Sequence, residues 1–158
     1  MKKGTLLMLL IGIICLLTSC ATITSKVEFT QDTSIIQKID IYYVEKCYTE
    51  GDIHNFLEDN APIYTLKEEV WETFLEMVGN LQYEKEVVFF PIPMDGGCDY
   101  QGYIISIVYS NGSYDLIAEG GLYSCLIDEK GEDWHKYDYV DYTGITDWST
   151  LIELYIEA

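Results

Sequence analysis

The sequence predicts an α+β domain in two layers, a mostly antiparallel β-sheet with two helices packed on one face. Three observations predict it. Residues 65–79 and 148–156 carry apolar side chains at helical spacing. Between and before them lie short runs rich in Ile, Val and Tyr, the strongest pair flanking an Asn-Gly turn. Finally, 49% of the 158 residues are hydrophobic and 14% aromatic, enough apolar surface to build a core despite a formal charge of −18. The order strand, helix, several strands, helix, with no internal repeat, assigns residues 35–158 to one domain.

Residues 35–44 are the first expected strand, with Ile35, Ile39, Ile41 and Tyr43 on one face and Lys38, Asp40 and Tyr42 on the other. Residues 45–64 lack periodicity and contain Gly51, Asp52, Asp59, Asn60 and Pro62, which predicts a loop. Thr65-Leu66-Lys67-Glu68 matches a capping box that would open the first helix. Val70, Trp71, Phe74, Leu75 and Val78 then form its apolar stripe, Glu68, Glu69, Glu72 and Glu76 its solvated face, and Gly79-Asn80 its stop. Residues 86–92 read as a strand ended by Pro91 and Pro93. Residues 101–109 and 113–118 flank Asn111-Gly112, the two positive-φ positions of a type I′ turn. On that reading Ser110 faces Ser113 and paired positions sum to 223. Residues 122–128 follow as a strand, 129–133 as a charged turn around Gly131, and 136–142 as the last strand. Asp147 or Thr146 caps the second helix, built on Trp148, Leu151, Ile152, Tyr155 and Ile156.

The charge excludes one class of partner and the first twenty residues predict a location. With 9 Lys, no Arg and 27 acids, the chain is a poor ligand for nucleic acid, which is held by cations that neutralise phosphates. Lys2 and Lys3 precede an apolar run over residues 6–17, the length of a signal-peptide core and short of the roughly 20 residues that span a bilayer. The following Leu17-Thr18-Ser19-Cys20 resembles the lipobox of bacterial lipoproteins. That resemblance covers the export segment alone. It implies removal of residues 1–19, a diacylglyceryl thioether and an acyl chain on Cys20, and attachment to the cell membrane or outer membrane facing away from the cytoplasm; several acyl chains hold where one binds only marginally. Residues 20–34, rich in Thr and Ser, then read as a tether of about 20 Å average reach, with Val27-Glu28-Phe29 as a candidate edge strand inside it. Loss of Lys2 and Lys3 leaves seven Lys against 27 acids, a net of −20. A domain so charged is repelled by anionic headgroups and favours cations or basic surfaces.

An exported domain is permitted disulfides. Cys98 and Cys125 sum to 223, so a straight continuation of the hairpin ladder sets them opposite one another and makes them a candidate bridge. The Gly120-Gly121 pair is where a further hairpin would interrupt that ladder, and Cys47 is the third cysteine. Motifs with an attached mechanism are absent: no G-x-S-x-G elbow, H-E-x-x-H helix, P-loop or dinucleotide fingerprint. Cys47 with His54, or Cys125 with His135, are the pairs that a small hydrolase would use as nucleophile and base. The acidic turns at 95–99 and 128–133 concentrate oxygens beside glycines, but neither fits an EF-hand register. No cofactor, metal site or catalytic residue is therefore assigned. The run Trp134-His135-Lys136-Tyr137-Asp138-Tyr139-Val140-Asp141-Tyr142 is the candidate binding surface, through Trp134, Tyr137, Tyr139 and Tyr142, because Tyr and Trp bury much area and keep a polar handle. The expected function is a non-enzymatic binding module on a lipid anchor, meeting a protein, peptide or glycan; a structural envelope role and the Cys/His hydrolase are the alternatives.

Overall fold

A computed structural model describes residues 21–48, 50–87, 100–144 and 147–156. The signal segment with Cys20, Cys98, the 95–99 turn and Thr146 lie outside them. Nine strands and three α-helices appear among the described residues, in the order β1 (Ala21–Lys26), β2 (Ile36–Tyr48), α1 (Glu50–Asp59), β3 (Tyr64–Thr65), α2 (Trp71–Gly79), β4 (Gln82–Val87), β5 (Tyr100–Tyr109), β6 (Tyr114–Ile117), β7 (Gly121–Ile127), β8 (Asp133–Tyr139), β9 (Asp141–Thr143) and α3 (Trp148–Ile156). The strands make a six-stranded sheet ordered β3-β2-β5-β6-β7-β8 and a three-stranded sheet ordered β1-β4-β9. Every pairing is antiparallel. The architecture is the predicted α+β class, open rather than a barrel. No helix among the described residues is long and apolar enough to cross a membrane.

Alternation along the strands divides the apolar residues between the two faces of the large sheet. On one face Ile39, Ile41, Ile105, Ile107, Tyr109 and Ile117 meet Phe74 and Val78 of α2, Trp148 and Ile152 of α3, and Leu81, Tyr83 and Tyr142 of the small sheet and its approach. Phe74 and Tyr155 join the two helices edge to face, their ring centroids 4.9 Å apart. Trp148 donates its indole N–H to the Tyr103 carbonyl at 2.8 Å, which fixes α3 to β5. On the other face Tyr42, Val44, Ile104, Leu116, Ala118, Tyr123 and Cys125 form a smaller core with Ile53 of α1, packed by Phe56 and Leu57.

Five expectations are corrected, each by a tertiary cause. The 20–34 tether is instead largely built into the domain. Residues 21–26 pair with β4 from Ala21↔Val87 to Lys26↔Gln82, Val27 is buried, and Thr30 donates to Asp115. The loop expected over residues 45–64 contains α1, whose Ile53, Phe56 and Leu57 dock on the sheet; ten residues are marginal as an isolated helix, and packing supplies the stability. Thr65 belongs to β3 and donates its hydroxyl to Asp40 Oδ1 at 2.6 Å, so α2 begins after a 3-10 turn over Glu68–Val70 with no side-chain cap. The strand expected over residues 86–92 begins earlier, at Gln82, where pairing with β1 and β9 draws β4 (Gln82–Val87) into the small sheet; 88–92 lie outside the described residues. The strand expected over residues 136–142 is two strands, broken at buried Val140, where the chain crosses from the large sheet to the small one.

The hairpin is also a residue longer in its loop than the Asn-Gly pair suggested. Gly112 has φ +87°, and no non-glycine residue among those described has positive φ, so the turn is not type I′. Tyr109 and Ser113 close a three-residue loop, with the Tyr109 N–H donating to the Ser113 carbonyl at 2.9 Å. The paired positions accordingly sum to 222, as in Ile105↔Ile117 and Val108↔Tyr114. Because side chains alternate with period two, that single step decides which residues of β6 enter the core.

Candidate functional site

Two polar clusters sit on strands β5 to β8, and they differ in kind. The first centres on Asp115, which is buried on β6. Its Oδ2 accepts from the Tyr109 hydroxyl at 2.6 Å and the Thr30 N–H at 3.0 Å, and its Oδ1 from the Thr30 and Ser124 hydroxyls, each at 2.7 Å. Four donors satisfy the carboxylate without a cation, as a buried ionised group requires. Burial first, then the facing Asp115, raises the Tyr109 phenol above its ordinary range, so Tyr109 remains a donor. A similar arrangement holds Asp40, whose Oδ2 lies 2.6 Å from Lys38 Nζ. The bond to Asp40 is the first cause that raises the Lys38 ammonium's value. Both carboxylates, Asp115 and Asp40, fasten strands.

The second cluster lies on the opposite face, where Cys125 of β7 is directly paired with Tyr114 of β6 and His135 of β8. Asp133 stands two residues before His135 and therefore on the same face of β8. Cys125 is 3% exposed and donates its thiol proton to Asp133 Oδ1, with sulfur and oxygen 2.7 Å apart. The Tyr123 hydroxyl and His135 Nδ1 are hydrogen-bonded to each other, and their rings stack with centroids 5.4 Å apart. Tyr114 stacks on Tyr123 in turn at 6.2 Å and hydrogen-bonds the sulfur. One donor atom from each of Cys125, Asp133 and His135 lies within 4.8 Å of the other two, the acid and the imidazole being exposed and the thiol buried.

The electrostatics of this thiol are those of a proton holder. Burial first, and then the hydrogen bond to Asp133 and its charge, push Cys125 from 9.0 up to about 12, while the hydrogen bond from Tyr114 acts the other way. An activated cysteine needs a cation or a base beside it to form thiolate. The thiol's hydrogen-bond partner here is the Asp133 carboxylate, whose charge disfavours thiolate, while the nearby imidazole of His135 is hydrogen-bonded to Tyr123.

The sequence-predicted residues are distributed unevenly. Cys125 and His135 do come together, as paired positions of one ladder, and Asp133, which the sequence places only in a charged turn, joins them. The ladder continuation toward Cys98 does not hold. The chain reverses between Ala118 and Gly121 before Cys125 is reached, and the Cys125 thiol is free. Tyr142 leaves the proposed surface altogether: it is buried on β9 and stacks on Trp148 with centroids 5.4 Å apart and planes 2° from parallel. Trp134, Tyr137 and Tyr139 take register positions opposite Leu126, Tyr123 and Gly121; their side chains lie outside the described residues, as do those of Cys47 and His54. In the 128–133 turn, Asp128 Oδ1 accepts from the N–H groups of Lys130 and Glu132 at 2.8 and 3.1 Å, so this carboxylate closes its own turn. No family model matches the chain, and no curated protein or solved structure matches it.

Proposed function

We propose that the chain is a lipid-anchored, extracytoplasmic binding module, held to a membrane through Cys20 and meeting its partner along β8. The observation that carries the reading is the position of β8. It is the outer strand of the six-stranded sheet, paired on one side by β7 among the described residues, and it bears the aromatic and acidic run 134–139. An outer strand offers backbone donors and acceptors to an extended peptide, and alternate side chains supply selectivity. The raised, acid-bound thiol of Cys125 favours binding over nucleophilic catalysis. The signal segment and lipobox resemblance support the anchor.

Because β1 begins at Ala21, the lipid on this reading adjoins the small sheet directly, and the β7–β8 face belongs to a body with little slack between it and the headgroups. Cys20→Ser should release the protein from the membrane fraction or block its maturation; normal maturation with unchanged membrane retention refutes the anchor. For the binding face, a photo-crosslinking residue at position 135 should capture a partner in intact cells. The same residue at exposed position 55 on α1 should not, and Tyr137→Ala/Tyr139→Ala should weaken capture at 135. Equal capture at both positions refutes the β8 surface.

A further inference from the structure

We propose that Cys125, Asp133 and His135 form a site for a borderline-soft divalent transition-metal ion, with Zn²⁺ as the best match. The inference goes beyond the binding-module reading and does not depend on it. Sulfur, imidazole nitrogen and carboxylate oxygen form a donor set suited to zinc-like ions, whereas Ca²⁺ and Mg²⁺ take oxygen alone. Metal–ligand bonds of about 2.0–2.3 Å at tetrahedral angles place donor atoms roughly 3.3–3.8 Å apart. The three atoms here lie within 4.8 Å of one another, and the Sγ–Oδ1 contact, at 2.7 Å, is tighter than such a site. That contact opens when the ion takes the place of the thiol proton, which passes to solvent, and the resulting thiolate and carboxylate balance the dication.

The framework around the three donors is already fixed. Cys125 and His135 are a cross-strand pair and Asp133 is two residues away on the same strand, so rigid backbone sets the spacing. Tyr123 hydrogen-bonds one nitrogen of His135 and Tyr114 hydrogen-bonds the sulfur, which makes both tyrosines positioning residues of the sort that orient metal ligands from outside. Asp133 and His135 are exposed while Cys125 is buried, so the ion enters from the solvent side and keeps a fourth position for water or for a ligand atom of a partner. The net acidity of the domain draws cations toward it.

The test is a Co²⁺ titration of the full chain purified in detergent and freed of metal by chelator. One equivalent should produce visible tetrahedral bands with a thiolate-to-cobalt charge-transfer band, displaced by Zn²⁺ and untouched by Ca²⁺. The spectrum should vanish in Cys125→Ser and in His135→Gln, the second being an exposed substitution that leaves the core intact, and should persist in Cys47→Ser/Cys98→Ser. Tyr123→Phe should bind about tenfold more weakly, with the metal-free protein melting as before. Folded protein that gives no charge-transfer band overturns the site, as does a band that survives both Cys125→Ser and His135→Gln.

Discussion

Asp115 and Asp133 are carboxylates two strands apart in the same sheet, on β6 and β8, and the contrast between them separates what holds this protein together from what it presents. Asp115 faces the main core, is buried, and accepts four hydrogen bonds from three residues of β5, β7 and the segment after β1. Its valence is full. Asp133 opens the outer strand β8 on the other face, is exposed, and accepts the proton of a single thiol beside an imidazole. A saturated buried acid is a fastening, because any change strands its donors in a low-dielectric core. An exposed acid with one donor retains capacity for something else.

The largest expected effect is on stability. Asp115→Ala leaves the Tyr109, Ser124 and Thr30 donors without their acceptor and should cost about 4 kcal/mol in urea unfolding. Asp133→Ala should cost no more than about 1 kcal/mol. Equal losses would break the distinction. Next, Tyr109→Phe removes one of the four bonds while keeping the ring in the core and should cost about 2 kcal/mol, the range for a hydrogen bond to a charged group. A loss near zero would mean that the carboxylate is held by the other three alone.

The smallest effect is a pH dependence belonging to the second cluster. The folded state raises the Cys125 thiol from 9.0 to about 12, so it holds a proton that the unfolded chain releases. The associated stability is present below pH 9 and is lost as pH rises through the window from 9 to 12, by about 1 kcal/mol over its first unit. Unfolding at pH 7 and pH 10, wild type against Cys125→Ala, isolates this contribution from the tyrosines, which both proteins share. The wild type should lose more between the two pH values. A parallel decline in both would show that burial and Asp133 do not hold the proton.

Much of the framework was legible in the residues themselves. The stripes Phe74–Val78 and Trp148–Ile152 enter the core as their spacing implies, and Asp147 caps α3 by accepting from the Thr150 N–H at 3.2 Å and hydroxyl at 2.7 Å. The Cys125/His135 pair was visible as a candidate, yet its third member was not. Asp133 reads as part of a charged turn until the β7–β8 register sets it beside the thiol. α1 escaped notice because Ile53, Phe56 and Leu57 are too few to mark a helix without the sheet they cover. Thr65 satisfies a capping pattern locally, but Asp40, 25 residues away, takes its hydroxyl.

Local chemistry therefore determined the apolar stripes of α2 and α3 and the strands on either side of Asn111-Gly112, that the domain is acidic and able to build a core, and that its first twenty residues resemble a lipoprotein export signal. Tertiary structure decided everything that depends on register: the three-residue loop at Gly112, the crossing at Val140 that sends Tyr142 into the core, and the meeting of Cys125, Asp133 and His135. The physical reason is the two-residue period of a strand. Periodicity shows which residues share a face, whereas only the hydrogen-bonded partner strand determines what that face meets.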